Sequence, residues 1–308
     1  MRGCNALFAV FLLASACHPA AAESGFRSVS WNPTTIATGA PCLFRVEMSA
    51  IPGTLTATWQ GHELTFTASA DRTVWYGLAG VDVEAKPGNY VLELRATLAD
   101  GTELRERQTI VVAPAKFRTE TLRVPERYVA PDPETLQRIE SDKQYKHAAF
   151  SHEAPAAEWS GSFRPPVDTG VSEGFGTRRT FNRKLASIHR GLDYHAAPGT
   201  PVMAANSGEV VLARELFYEG NCVIVDHGLG FATVYMHLSQ LDVKEGQRVE
   251  KGEQLGLSGA TGRATGPHLH VAARWDGAYL DPAQLWTLHL PDLQAPALST
   301  ASAPVAKR

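Results

Sequence analysis

Five side chains in the second half of this chain are of the types that hold metal ions and move protons: His189, Asp193, His237, His268 and His270. His268 and His270 are two apart in Gly266-Pro267-His268-Leu269-His270-Val271, so on a strand both imidazoles face one way while Leu269 and Val271 face apolar packing. Two such rings make an odd core and serve nothing on a solvent face, which favours metal binding or catalysis. His189 and Asp193 are four apart. On an extended strand at about 3.3 Å per residue they would sit roughly 13 Å from each other, too far to share one ion. Gly191 between them argues against a helix and permits the bend that would bring them together. Taken alone, that spacing also fits a surface pair. His237, in Tyr235-Met236-His237-Leu238-Ser239, shares its strand face with Thr233 and Tyr235, opposite Val234, Met236 and Leu238. A lone histidine so placed is ordinarily structural and gains weight only from the other four.

Imidazole and carboxylate donors without a thiolate suit zinc, and three protein ligands leave a fourth position open for water. Zinc would bring the pKa of that water from ~15.7 toward ~7, giving a nucleophile for carbonyl hydrolysis at neutral pH. Hydrolysis also needs a group to carry the proton and a donor for the oxyanion, roles open to the two remaining histidines. Spacing leaves open which three of the five bind the ion.

The elements that must position these groups lie in residues 167–290. Gly199-Thr-Pro-Val202 and Gly208-Glu-Val210-Val211 precede an apolar strand at Asn221 to Asp226, a turn at His227-Gly228-Leu229-Gly230 and a second strand at Phe231 to His237. Val243, Gly246, Val249, Gly252 and Leu255 then recur every three residues. Short strands between glycines, with little helical periodicity, predict a compact β domain, and two Gly-x-x-Val segments at Gly199 and Gly246 suggest a duplicated hairpin.

Residues 23–113 read as an immunoglobulin-like β-sandwich. Tyr90, Leu92 and Leu94 alternate with Val91, Glu93 and Arg95, and Gln60-Gly61, Pro87-Gly88 and Asp100-Gly101 mark turns. The immunoglobulin cysteine pair is missing, since Cys42 stands alone. No titratable cluster occurs there, which makes it a spacer or docking module. Residues 114–166 form a proline-rich surface connector with one helix, Asp132 capping and Pro133 opening Glu134 to Tyr145. Residues 291–308 read as a Pro/Ala/Ser-rich disordered tail. Residues 1–22 read as a signal peptide, with Arg2, an apolar stretch from Ala6 to Ala16 and Ala20-Ala21-Ala22 as the cleavage pattern. Export to the periplasm or the exterior follows. Lipid anchoring at Cys17 is the weaker alternative, because Ala14 stands where a larger aliphatic residue is usual.

The chain has 308 residues, 44% of them hydrophobic and 20% charged, with a net charge of −3, the mix of a globular protein of about two domains. That balance leaves no electrostatic footprint for nucleic acid, and outside the leader no apolar run reaches membrane-spanning length. Gly259-Ala-Thr-Gly-Arg-Ala-Thr-Gly266 leads into a strand instead of a helix, which excludes a nucleotide phosphate cradle. A biotinyl or lipoyl carrier would need a lysine at an exposed hairpin tip, and Lys184, Lys244 and Lys251 do not supply one. His195, His227 and Asp226 read as outer-layer or turn residues. His62, His147, His152 and His289 lack partners by spacing.

His189-x-x-x-Asp193, His237-Leu-Ser239 and His268-Leu-His270 together resemble the signatures of the lysostaphin/LytM-type zinc endopeptidases that cut peptidoglycan peptides. Gly174-Phe-Gly-Thr-Arg178, Gly199-Thr-Pro-Val202, Asp226-His-Gly228 and Gly259-Ala-Thr-Gly-Arg263 through Pro267 agree, and the resemblance covers about residues 168–286. It implies an antiparallel β catalytic domain, a duplicated hybrid motif with a groove above the sheet. It also implies that His189, Asp193 and His270 hold one zinc ion, and that His237 and His268 flank the water and the scissile carbonyl of a cell-wall peptide. The chain departs from the family at one point. Some relatives place a tyrosine before the first ligand to help the oxyanion, whereas this chain has Thr180-Phe181-Asn182-Arg183. Arg178, Arg179 and Arg183 are candidates to substitute or to recognise a stem-peptide carboxylate. The competing reading is an inactive relative that binds the wall or activates another hydrolase; such proteins lack some of the five residues, and all five are here.

Overall fold

The computed structural model describes residues 25–152 and 154–292. The leader at 1–22 and all but the start of the 291–308 tail fall outside the described residues. The chain is mainly β.

In the N-terminal module, alternation decides which way each strand faces. Along Gly88–Thr97, Leu92, Leu94 and Ala96 are buried while Val91, Glu93 and Arg95 are exposed. This strand pairs antiparallel with Glu103–Ala113 across the Asp100-Gly101 turn, where Gly101 takes φ +84 and the Asp100 carboxylate accepts the Thr102 N–H at 2.9 Å. These two strands are flanked by Ile36–Ala37 on one side and by Thr54–Trp59 and His62–Thr65 on the other, in a five-stranded sheet. A four-stranded sheet runs Phe26–Asn32, Pro41–Met48, Val74–Gly80, Thr67–Ala68. The two sheets meet where Phe44 packs edge-on against Trp59 at 5.3 Å, and the Trp59 indole N–H donates to the Gly80 carbonyl at 2.9 Å. Losing a fully buried side chain of that size from a core costs about 3–5 kcal/mol. Cys42 and Cys222 are both free and buried.

Most strands of the C-terminal half form one antiparallel sheet whose main path runs Val171–Glu173, Leu192–Tyr194, Leu269–Trp275, Phe231–Leu241, Gly220–Asp226, Gly208–Leu216, Arg248–Val249. Its middle strands are buried on both faces, which is why Gly220–Asp226 carries a near-continuous apolar run. Val223, Val225, Tyr235, Val271 and Trp275 face the main core. Leu212, Ile224, Val234 and Ala272 face a second cluster closed by Ala149, from the helix Pro133–Phe150.

That helix begins as the sequence predicts, with Asp132 accepting the Thr135 N–H at 2.8 Å and Pro133 in the first turn. It runs past Tyr145 because Ala149 lands on the sheet, and buried Asp142 accepts the Phe217 N–H at 2.7 Å. The connector does more than lie on the surface. Thr119–Leu122 pairs parallel with Arg178–Phe181, which returns antiparallel as Leu185–Ile188. Asn182 and Arg183 make the turn at φ +49 and +60. The Asn182 side chain accepts the Val124 N–H at 2.9 Å and donates to its carbonyl at 2.8 Å, tying the connector to the hairpin.

The two halves share one core. A Cβ on Gly80 would lie 2.2 Å from Leu280, so only glycine leaves room for that side chain. Beside it the Tyr279 N–H donates to the Asp82 carboxylate at 2.8 Å, and the Asp281 N–H to the Gly39 carbonyl at 2.7 Å.

Candidate active site

Leu192–Tyr194 pairs with Leu269–Trp275 in the register Asp193↔His270, which sets those two side chains next to each other. His189 precedes the first strand, and the chain bends at Gly191 to bring it over. A Cβ on Gly191 would lie 2.4 Å from the Val271 carbonyl oxygen and 2.6 Å from the His270 ring, so glycine is required there for space. As a result His189 Nε2 lies 3.0 Å from Asp193 Oδ1 and 3.0 Å from His270 Nδ1, and His270 Nδ1 lies 2.7 Å from Asp193 Oδ1. His189 Nδ1–H donates to the Gly174 carbonyl at 2.8 Å, leaving Nε2 to face the other two. All three residues are buried. Burial opposes the Asp193 charge, yet hydrogen bonds from His189 and His270 outweigh it and hold the carboxyl far below its ordinary range. Burial also holds the His270 imidazole below its ordinary value in spite of that carboxylate. Three ligand atoms converging on one point are the arrangement that holds a metal ion.

Beside this cluster in the same cleft stand His237 and His268, with ring centroids 4.7 Å apart; the His237 ring lies 6.1 Å from that of His270, and His268 Nε2 lies 3.8 Å from Asp193 Oδ1. Each is oriented by its own backbone bond: His237 Nδ1–H donates to the Thr261 carbonyl at 2.8 Å, and His268 Nδ1–H to the Gly266 carbonyl at 2.8 Å. Both therefore turn Nε2 into the cleft. Burial, and then the neighbouring His268 and His270, lower the His237 pKa to about 3, so its ring is neutral at pH 7.

His237 reaches this place by breaking the strand's alternation. Met236 is registered with His270 and faces the cleft, while Thr233 and Tyr235 point to the other face, where Thr233 Oγ1 meets buried His227 at 2.8 Å. Strict alternation would send His237 after them. Instead its φ is +63, a conformation costly for any residue but glycine, and the ladder to Gly220–Asp226 shifts register there. The shared face with Thr233 and Tyr235 expected from the sequence is thus corrected: one backbone torsion turns the ring to the side of His270.

The cleft encloses about 500 Å³. Glu120 and Leu122 of the connector strand and Lys146 of the helix form part of its wall, which sequence reasoning missed, because a parallel pairing across nearly 60 residues leaves no local signal. Of the three arginines considered from the sequence, only Arg179 reaches the cleft. It donates to both Glu173 oxygens and to Asp193 Oδ2 at 2.6 Å, so it braces the carboxylate next to His189. Arg178 and Arg183 are exposed and line no part of it. Exposed His195 stands on the rim, while His62 pairs with Asp276 at 2.6 Å and His152 with Asp226 at 2.9 Å, away from the site.

The profile of Peptidase family M23 matches residues 187–282, the stretch that carries all five side chains. A solved Pseudomonas aeruginosa chain assigned to peptidase M23 aligns with 81% of this chain and 94% of its own length, at 30% identity and a TM-score of 0.63. The chain belongs to peptidase family M23. Among M23 relatives, the peptidoglycan DD-endopeptidase ShyA of Vibrio cholerae is 46% identical over 110 residues, 35% of this chain and 26% of ShyA. The DD-carboxypeptidase/endopeptidase Mpg of Neisseria meningitidis is 39% identical over 132 residues, 43% of this chain and 30% of Mpg. This M23 chain therefore spans less than a third of the length of either. M23 enzymes are metallopeptidases, in keeping with the cluster formed by His189, Asp193 and His270.

Proposed function

We propose that this chain is an exported zinc-dependent endopeptidase that hydrolyses peptide cross-links or stem peptides of bacterial peptidoglycan. The observation that carries this reading is the meeting of three ligand atoms, 2.7–3.0 Å from one another, with two further imidazoles, His237 and His268, beside them in one cleft. Two imidazoles and a carboxylate without a thiolate fit zinc, with His189 Nε2, Asp193 Oδ1 and His270 Nδ1 as ligands. Zinc supplies Lewis acidity, enough to bring the pKa of water from about 15.7 toward about 7. His237, neutral and fixed at Nδ1, accepts a proton at Nε2 from the water that adds to the scissile carbonyl carbon. His268 presents its own Nε2 beside the carbonyl oxygen and the leaving nitrogen. As the C–N bond breaks, the nitrogen takes up the proton held by His237 and then the second proton of the added water, so the products are a carboxylate and an ammonium group.

The relatives named DD-endopeptidases support a bond between two D-amino acids as the target. Peptidoglycan lies outside the cytoplasm, so removal of residues 1–22 and release to the periplasm or exterior belong to the same proposal. No helix of the described residues is long and apolar enough to cross a membrane. The paired sheets of the N-terminal half are read as an immunoglobulin-like module, and the catalytic sheet as the duplicated hybrid motif. Incubating the zinc-loaded protein with purified sacculi, and identifying the released fragments by mass, tests the activity. Cut cross-links that vanish on adding a chelator are expected. Intact sacculi with zinc fully bound would point instead to an inactive wall-binding relative.

A further inference from the structure

The cations around the cleft differ in one respect. Lys146 pairs with Glu219, Arg179 with Glu173 and Asp193, and Arg190 turns outward to Glu84 of the N-terminal module. Arg263, which also lines the cleft, has neither an ion pair nor a side-chain hydrogen bond among the described residues. Its guanidinium lies 4.5 Å from the Phe181 ring centroid and 4.6 Å from that of Tyr218, and it is half-buried. Aromatic faces stabilise the charge of a guanidinium but leave its in-plane N–H donors without acceptors. Burial works against the charge, so the site holds a cation at a cost that nothing within the chain offsets by hydrogen bonding.

The backbone beneath Arg263 is fixed. Its N–H donates to the Tyr218 carbonyl at 2.9 Å, and the Tyr128 hydroxyl donates to the Gly262 carbonyl at 2.5 Å. Gly262 has φ +70, and a Cβ there would lie 2.3 Å from the Gly220 nitrogen. Two residues earlier, Thr261 supplies the carbonyl that orients His237. The loop that aims the His237 ring therefore also sets the place of an unsatisfied, planar, five-donor cation.

Resting on the endopeptidase reading above, we infer that Arg263 binds a free carboxylate of the substrate, so that the preferred substrate is an acidic cross-link with that carboxylate close to the scissile amide. A planar fork matches a carboxylate with two parallel N–H···O bonds, and desolvation between two rings strengthens them. A cross-link whose amine side is a diamino diacid has this chemistry, because the carbon bearing the scissile nitrogen keeps a carboxylate. This assignment replaces Arg178 and Arg183, which stand away from the cleft, and Arg179, whose Nε and Nη2 are committed to Glu173 and Asp193.

Binding is tested without turnover by calorimetry on the zinc-loaded protein, with a monomeric stem peptide whose diaminopimelate carboxylate is either free or amidated. The native protein is expected to bind the free form about 10- to 100-fold more tightly. Arg263→Met keeps an unbranched chain against Phe181 and Tyr218, and is expected to bind both forms equally and weakly with its zinc content unchanged. Arg263→Lys keeps a charge and is expected to fall between them. Equal binding of both peptides by the native protein, or a preference that survives in Arg263→Met, overturns the assignment. With cross-linked dimers as substrates, the same discrimination is expected in KM more than in kcat. Uncleaved dimers alongside an intact binding preference would sink the endopeptidase reading and leave Arg263 as the carboxylate site.

Discussion

The two halves of this chain treat charge in opposite ways. The outer face of the N-terminal five-stranded sheet is open to solvent, and its ion pairs, such as Arg107 with Glu93 at 2.7 Å, are more than half exposed. Pairs like these contribute little, because water screens them and holding two long side chains in one geometry has an entropic cost. The middle strands of the C-terminal sheet are covered on both faces, so polar groups left inside must meet a partner. His227 does so with Ser207 and Thr233, whereas His189, Asp193 and His270 meet mainly one another. Chemistry settles where burial makes polar groups converge, and solubility is handled where the sheet is wet.

The contrast can be broken by substitution. The largest effect is expected within the buried cluster, where His270→Ala should lose the metal and all measurable turnover. His237→Ala should keep the metal, as read by bound-metal analysis, and lose about 10²- to 10⁴-fold in turnover. Full activity in His237→Ala would remove the proton-transfer role assigned to it. Next comes the brace: Arg179→Met leaves the three ligands in place but frees Asp193 Oδ2, and metal affinity measured by chelator competition should fall about 10- to 100-fold, with turnover regained at excess metal. The smallest effect concerns stability. Burial lowers the His227 pKa to about 4, below the ~6.5 of an unfolded chain, so its contribution is fully present above about pH 6.5 and is lost as pH falls toward 4. The full loss is about 3 kcal/mol, seen as the part of the pH slope in urea unfolding that His227→Asn abolishes. As a control, Arg107→Ala on the exposed face should leave the unfolding midpoint where it was.

Much of this arrangement can be read in the residues themselves. Period-two alternation marks Leu92 and Leu94 as core, and the unbroken run from Cys222 to Val225 marks a strand covered on both sides. His268 and His270, two apart, do face one cleft. What is hidden depends on contacts far apart in sequence or on a single torsion. The φ of +63 at His237 has no glycine to announce it. Nothing near Thr119 points to Arg178 as its strand partner, and the helix outruns Tyr145 only because a sheet lies under Ala149. Arg263 sits in the glycine-rich stretch that leads into the strand of His268 and His270, and its value emerges only when the neighbouring cations are seen to be occupied.

The notch at Gly80 bears on how such chains can be recombined, by evolution or in the laboratory. Leu280 is fully enclosed there, so a front half borrowed from another protein brings its own residue to that point, and even a single methyl group wedges the peg out of its socket. The amide contacts of Tyr279 and Asp281 with the front half would go with it. Swapping of the two halves is therefore licensed only when residues 278–281 travel together with the surface that receives them.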